Sequence, residues 1–236
     1  MSIFNANNTQ NIQKEKKPKL VLTEVPGKEG LSYGVKKDGK RYSVRDDRSR
    51  YFFPDEWNRF YVELRQGNKL LFDTLMGTGA RIEEALNIRP KDFIWERSSL
   101  TLMVTKTKAK KGETKGKKRT FKVSTQLIKK FKRYITKNNI KDEDKIFKTS
   151  KNAAWKLMKR ILVKAGIEDD YNFSLHNIRK THGNYLKALG IDAAEICLRL
   201  GHNMNTYLEH YGSATLFDRK DKQEMIKILG DLYGFQ

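Results

Sequence analysis

A chain of 236 residues with 49 Lys and Arg against 28 Asp and Glu has a formal charge of +21, which favours a polyanionic partner such as nucleic acid. No run approaches the roughly 18 apolar residues of a membrane span, and the N-terminus lacks a signal-peptide pattern, so we expect a soluble, intracellular (cytoplasmic) protein. The single cysteine, Cys197, excludes an intrachain disulfide, disfavours a cysteine-based zinc site, and lies in a context that predicts a buried helical position.

The first fifty residues are predicted to form a tail and a small sheet. Residues 1–19 are polar, end in a basic run and show no periodicity, which predicts a flexible tail. Residues 20–49 contain β-rich runs on either side of Asp38-Gly39, a strong hairpin signal. We therefore expect a small β-rich extension ahead of the main domain.

Residues 50–236 are predicted to form a mainly α domain with a small embedded antiparallel β-sheet of two or three strands. Helical spacing predicts two helices across residues 55–77, broken at Gly67, and a third around residues 81–88. Residues 93–108 and 118–124 alternate like strands joined by a lysine-rich loop. Five further helices are predicted at residues 125–138, 151–166, 178–189, 192–201 and 218–234, with helix stops at Gly166, Gly190 and Gly201.

Two short segments pair a guanidinium with a second polar group at helical spacing. Gly77-Thr78-Gly79 predicts a tight turn that puts Arg81 at a helix start, where backbone N–H groups favour an anion, and Glu84 lies one turn further on. His176 and Arg179, three residues apart, share a helix face, and together they provide a bidentate phosphate ligand and a proton acceptor. Taken alone, each pair is more typical of a solvated surface.

A third segment supplies a candidate nucleophile. Gly201-His202 is followed, nine residues after His202, by Tyr211. A tyrosine hydroxyl can attack phosphorus and divide one difficult displacement into two easier ones. Taken alone, a tyrosine here is more often buried with a hydrogen-bonded hydroxyl.

Together these segments resemble the tyrosine recombinase (phage integrase) family in order, spacing and local context, over roughly residues 50–236. The family pattern is an Arg after a Thr-Gly-x turn with an acidic residue three positions on, a hairpin Lys, a His-x-x-Arg, a Gly-His or Gly-Trp, and a Tyr nine residues later. Those positions hold, in order, Arg81 with Glu84, Lys106 or Lys108, His176 with Arg179, His202 after Gly201, and Tyr211. The chain is also similar to integrases of archaeal viruses and plasmids, because it is compact and rich in lysine.

The resemblance implies a site-specific recombinase or integrase that cleaves and rejoins double-stranded DNA through a 3′-phosphotyrosyl intermediate, as a homo-oligomer (dimer or tetramer) on DNA, with no metal and no cofactor. Tyr211 is the implied nucleophile, and His176 is implied to assist removal of its proton. Charge on the phosphate is implied to be stabilised by Arg81, Arg179 and His202.

The resemblance also implies a hairpin lysine that protonates the departing 5′ oxygen. Lys106, at the predicted strand end, is favoured over Lys108, and the alternative stays open. The other basic residues of the hairpin are expected to contact phosphates, and these are Lys108, Lys110, Lys111, Lys115, Lys117, Lys118 and Arg119.

Two alternative functions remain at this stage, a type IB topoisomerase-like enzyme and a catalytically retired DNA-binding regulator on the same fold. The chain departs from most of the family because its first fifty residues do not resemble a helical DNA clamp. His182, on a different helix face from His176, is expected to be structural. Trp57, Trp95 and Trp155 are expected to be core aromatics, and the helix from Asp218 is expected to suit packing on a neighbouring protomer.

Overall fold

A computed structural model describes residues 23–24, 26, 31–35, 41–45, 50–103, 118–211 and 217–234. The chain divides into two compact units, Met1–Arg45 and Asp46–Gln236. Several sequence-based expectations lie outside the described residues, namely those for residues 1–19, the Asp38-Gly39 turn, and Lys106, Lys108, Lys110, Lys111, Lys115 and Lys117.

The first unit contains a three-stranded antiparallel sheet of β1 (Thr23–Glu24), β2 (Leu31–Val35) and β3 (Arg41–Arg45). β2 and β3 pair in register along their whole length, with Tyr33 opposite Ser43. Antiparallel neighbours of this kind need only a short connection. The predicted β-rich fold of this extension is confirmed.

The second unit is mainly helical. Its described residues form α1 (Pro54–Val62), α2 (Gln66–Thr78), α3 (Ile82–Leu86), α4 (Thr125–Lys137), α5 (Lys151–Lys164), α6 (Leu175–Ala188), α7 (Ala193–Leu200), α8 (Met204–Tyr211) and α9 (Arg219–Leu229). α8 was not among the predicted helices. None of the helices in the part of the chain that the structure describes is long and apolar enough to cross a membrane.

A second antiparallel sheet is embedded among these helices, in the order β4 (Phe93–Ile94), β5 (Ser99–Met103) and β6 (Lys118–Lys122). A tight turn at Trp95–Arg97, followed by Ser98 at φ 47°, divides the predicted first strand into β4 and β5. Leu100 and Phe121, opposite each other on β5 and β6, are both buried. The sheet therefore packs one face on the domain core.

α2 lies at the centre of the core and packs against α4, α6 and α9. Beside it, the ring of Phe52 contacts Trp57 and Phe173, with ring centroids 5.4 and 4.4 Å apart, so Trp57 is a core aromatic as expected. Cys197 is also buried. The expectation for Trp155 is wrong, because its side chain lies on the solvent face of α5 and is 38% exposed.

α9 packs against α1, α2 and α6 of its own domain. Its apolar residues Met225 and Leu229 are buried there, at 0% and 1% exposure. α9 thus covers the core of its own domain, and the packing of this region on a neighbouring protomer stays a prediction.

A buried polar cluster joins the end of α2 to α6, α7 and β6. His182 is fully buried, and its Nδ1 lies 2.7 Å from the Met76 carbonyl while its Nε2 accepts a hydrogen bond from Arg199 Nε at 2.9 Å. Arg199 also donates to the carbonyls of Gly77 and Lys122, at 2.8 and 2.7 Å. Because buried polar groups are costly unless hydrogen-bonded, this cluster fixes the position of the turn after α2, and His182 is structural as expected.

The turn after α2 depends on Gly79, which has φ +62° and lies against His182 and Leu200. We expect Gly79→Ala to lower the free energy of unfolding by at least about 2 kcal/mol, since a left-handed backbone disfavours alanine and the core has no free space. The added Cβ would lie 2.6 Å from a carbon of each neighbour. Gly67→Ala is the matched control, since a Cβ there meets nothing within 4 Å. In urea unfolding, equal stability of the two variants would contradict this account.

Candidate active site

The guanidinium of Arg179 joins three segments at the centre of the site. It lies on α6 and is 1% exposed. Its Nη1 donates to the Gly79 carbonyl at 2.7 Å, and its Nη2 donates to the Leu200 carbonyl and to His202 Nε2, the latter at 2.8 Å. Burial, and then the charges of Arg81 and Arg119, lower the pKa of Arg179 to about 9. Arg179 therefore remains charged at neutral pH.

His202 is held as a neutral hydrogen-bond donor. Burial and the nearby guanidinium groups of Arg179 and Arg81 lower its pKa to about 3. Because Nε2 accepts from Arg179, the imidazole proton must lie on Nδ1. That atom is buried and has no hydrogen-bond partner among the described residues. This N–H is therefore unsatisfied among the described residues, and an acceptor can reach it only if the site rearranges.

Tyr211 ends α8 and lies beside His202, with ring centroids 6.2 Å apart and planes inclined by 26°. The tyrosine is 1% exposed. Space for its ring exists only because residue 183 is glycine, where a Cβ would lie 2.7 Å from Cζ and 2.9 Å from the hydroxyl oxygen. Burial raises the pKa of Tyr211 to about 12. The hydroxyl is therefore protonated at neutral pH.

Glu84 binds both the main chain and the side chain of Arg81. The residue as a whole is 2% exposed, and its carboxylate accepts from the Arg81 backbone N–H at 2.8 Å and from Arg81 Nη1 at 2.9 Å. Burial raises the pKa of Glu84, but hydrogen bonds from Arg119 and Arg81 outweigh it and bring the pKa below the ordinary value. Glu84 is therefore a fixed negative charge next to Arg81.

The structure places Arg119, which the sequence predicts as a phosphate contact, against Glu84. It is on β6, its side chain is 8% exposed, and its two terminal nitrogens donate to Glu84 at 3.1 and 2.5 Å. These two hydrogen bonds use two of the five N–H donors of the guanidinium. Lys118, the preceding residue, is exposed as expected of a phosphate contact.

Arg81 and His176 line one surface cavity of about 510 Å³, together with Lys151 and Trp155. His176 lies in the first turn of α6 and is exposed. Arg81 belongs to the buried cluster as well, because its charge acts on Arg179. The structure thus brings together the five positions predicted for Arg81, His176, Arg179, His202 and Tyr211 around one cavity wall and the cluster behind it.

Sequence reasoning missed two residues of this site. Gly183 provides the space for Tyr211, and Trp155 lines the cavity. Gly183 lies four residues after Arg179, on the same face of α6. A glycine in the interior of a helix is the signal that could have identified it. No comparable signal distinguishes Trp155 from a core aromatic.

The helical unit with its embedded sheet has the fold of tyrosine recombinase catalytic domains. It superposes on the catalytic domain of bacteriophage HP1 integrase with a TM-score of 0.53 at 18% identity, covering 78% of this chain and 96% of that one. The crystal structure of XerA recombinase matches with a TM-score of 0.58 at 19% identity, over 75% of this chain and 64% of that one. The Tn1549 transposon integrase in complex with transposon right end DNA gives 0.56 at 18%, over 77% and 66%.

The Phage integrase family model matches residues 51–216, and the chain belongs to this family. Tyrosine recombinase XerA of Pyrococcus furiosus is 26% identical over 176 residues, which is 71% of this chain and 57% of that protein. Tyrosine recombinase XerA of Pyrococcus horikoshii is 25% identical over 175 residues, with the same coverage of 71% and 57%. The chain thus matches less than two thirds of the length of these curated relatives.

The two buried histidines predict how stability depends on pH. The pKa of His202 is lowered to about 3 and that of His182 lies well below its ordinary value, in both cases first by burial. The unfolded chain binds protons at these residues below about pH 6.5 and the folded chain does not, so the free energy of unfolding falls as pH decreases from 6.5 to 5. The melting temperature, measured by thermal unfolding at pH 7.5, 6 and 5, is expected to fall with pH.

In that experiment His202→Gln is expected to make the fall in melting temperature less steep, because one of the two histidines is removed. Carboxylates with lowered pKa begin to lose their contribution only near pH 5, so the change between pH 7.5 and 6 reports on the histidines. A melting temperature that is constant from pH 7.5 to 5 would contradict the burial of neutral histidines.

Proposed function

We propose that this protein is a site-specific DNA recombinase or integrase that cleaves and rejoins DNA through a 3′-phosphotyrosyl intermediate. The observation that carries the proposal is the cluster in which Arg179, held by main-chain carbonyls, is hydrogen-bonded to His202, whose ring faces that of Tyr211 at 6.2 Å. A guanidinium, a neutral donor and a tyrosine hydroxyl are the groups that a metal-independent attack on a phosphodiester requires. Family membership supports the same chemistry.

The reaction is a displacement at phosphorus. The Tyr211 oxygen loses its proton and forms a bond to the phosphorus, while the bond from phosphorus to the 5′ oxygen breaks. The 5′ oxygen takes a proton and leaves as a hydroxyl group. One phosphodiester replaces another, so the reverse attack by a 5′ hydroxyl of a second strand rejoins DNA and exchanges partners.

Each side chain of the site has a separate role in the proposed reaction. The phosphate oxygens receive donors from Arg81, Arg179 and His202 Nδ1, which stabilise the charge that develops on them. His176, exposed in the cavity beside Arg81, assists removal of the proton from Tyr211. The pKa of Tyr211 is about 12 in the DNA-free chain, so the nucleophile is inactive until a phosphate and a proton acceptor are in place.

The departing 5′ oxygen requires a proton donor, and we propose Lys106 for this role, with Lys108 as the alternative. Both belong to the lysine-rich stretch between β5 and β6. The remaining lysines of this stretch provide phosphate contacts.

Double-stranded DNA is the proposed substrate, which the formal charge of +21 favours. Because two sites are cut and rejoined in recombination, the proposed active form is a dimer or tetramer on DNA, and the proposed location is intracellular. Product that joins two different DNA molecules distinguishes this activity from relaxation of a single duplex, as a type IB topoisomerase performs it.

The nucleophile is tested with a nicked oligonucleotide that contains the recombination site and releases a short fragment on cleavage. Wild-type protein is expected to form a covalent complex that withstands denaturing gel electrophoresis, and Tyr211→Phe is expected to form none while binding DNA with unchanged affinity. Tyr207→Phe is the matched control, since Tyr207 is also buried on α8, with its ring 5.5 Å from that of Tyr211. An adduct in Tyr211→Phe that is absent from Tyr207→Phe would assign the nucleophile to Tyr207.

A further inference from the structure

Arg119 connects the β-hairpin to two catalytic segments at once. We propose that it is a positioning residue for strand cleavage, which holds Glu84, and through it Arg81, and supports the turn that carries His202. This inference rests on the proposed function. Under this proposal Arg119 acts through contacts with other residues of the protein, whereas the sequence analysis predicted a contact with DNA.

The first connection is through Glu84. Arg119 Nη2 donates to one carboxylate oxygen of Glu84 at 2.5 Å, and Arg119 Nη1 donates to the other at 3.1 Å. The latter oxygen also accepts from Arg81 Nη1 at 2.9 Å. The Glu84 side chain is 0% exposed, so water cannot replace a lost donor without rearrangement. Removal of Arg119 therefore leaves a buried carboxylate with Arg81 alone, and Arg81 has to turn towards it.

The second connection is at the turn after α7. Gly201 has φ +63°, and a Cβ built on it would lie 3.3 Å from Arg119 Nη1. The guanidinium thus packs directly against the main chain of the residue before His202. Because His202 Nε2 accepts from Arg179, a shift of this turn also alters the hydrogen bond that keeps the free N–H of His202 on Nδ1.

The partner of Arg119 distinguishes it from the proposed phosphate ligands. Arg179 is held by neutral main-chain carbonyls, whereas both terminal nitrogens of Arg119 donate to the buried Glu84 side chain. The charge of Arg119 nevertheless acts on the site, since it contributes with burial and Arg81 to the lowered pKa of Arg179. Arg119 therefore adds to the positive charge that a bound phosphate would neutralise, while its own guanidinium is held by Glu84.

The activity test compares cleavage rate and DNA affinity on the nicked substrate. At saturating DNA, Arg119→Ala is expected to cleave about a hundredfold more slowly than wild type with unchanged Kd, since a misplacement of about 1 Å has this effect. Arg119→Lys is expected to recover only part of the rate, because one ammonium group cannot bridge both oxygens of Glu84. In an Arg81→Ala background, Arg119→Ala is expected to add little, since the two residues act in series.

Lys130→Ala is the matched control, because it removes an ion pair with Asp73 at 2.7 Å between α4 and α2, outside the site. It is expected to cleave at the wild-type rate. Unchanged cleavage in Arg119→Ala, with weaker binding and a shallower salt dependence, would make Arg119 a phosphate contact and overturn the proposal. Restoration of its rate by a 5′-phosphorothiolate substrate would move the role to protonation of the leaving group and overturn it too.

A second measurement does not depend on cleavage. The imidazole ¹⁵N signals of His202 and the Nε–H signal of Arg81, recorded without DNA, are expected to shift in Arg119→Ala and Arg119→Lys and to stay in place in Lys130→Ala. Unshifted signals would overturn the positioning role even in an active enzyme. Absence of any covalent complex with wild-type protein would instead count against the proposed function, while shifted signals would still show the contact.

Discussion

The site depends on one buried guanidinium that is hydrogen-bonded to main-chain carbonyls. Arg179 reaches the carbonyl of Gly79, 100 residues earlier in the chain, and that of Leu200, 21 residues later. A charge without such partners is very costly to bury, so the turns that carry Gly79 and Leu200 have to meet at Arg179 for the domain to fold. The same hydrogen bonds fix the guanidinium and His202 in the chain without a ligand, and the proposed catalysis requires preorganisation of this kind.

The cations of the site outnumber the carboxylate that holds them. Arg81, Arg119 and Arg179 lie close enough to affect one another, and Glu84 is the acid that they surround. Burial and this mutual repulsion lower the pKa of Arg179 to about 9. In the proposed reaction a phosphodiester adds the negative charge that the cluster lacks, and the additional charge on its oxygens in the transition state strengthens the attraction further. Under this proposal the excess of positive charge contributes both to substrate binding and to catalysis.

The sequence was sufficient to predict the ordered motif and most of the helices and strands. Helix periodicity, glycine stops and strand alternation are local properties that can be read from neighbouring residues. The sequence placed Gly166, Gly190 and Gly201 correctly at helix ends, each with positive φ. The sequence-based prediction that Trp155 is a core aromatic was wrong, and the ion pair of Arg119 with Glu84 was not predicted. Exposure and ion pairing depend on which elements meet in three dimensions. β6 brings Arg119 onto Glu84, 35 residues earlier, and no pattern within either segment predicts that contact.

The role of the Arg179 guanidinium is measured by the cleavage rate constant of Arg179→Lys at saturating DNA, with the folded fraction checked by circular dichroism. Lysine keeps the charge but cannot reach both carbonyls and the phosphate from one nitrogen. We expect a folded protein with a lower melting temperature that cleaves at least about a hundredfold more slowly than wild type. Cleavage at the wild-type rate would show that a point charge suffices and that the hydrogen-bonded guanidinium is not required.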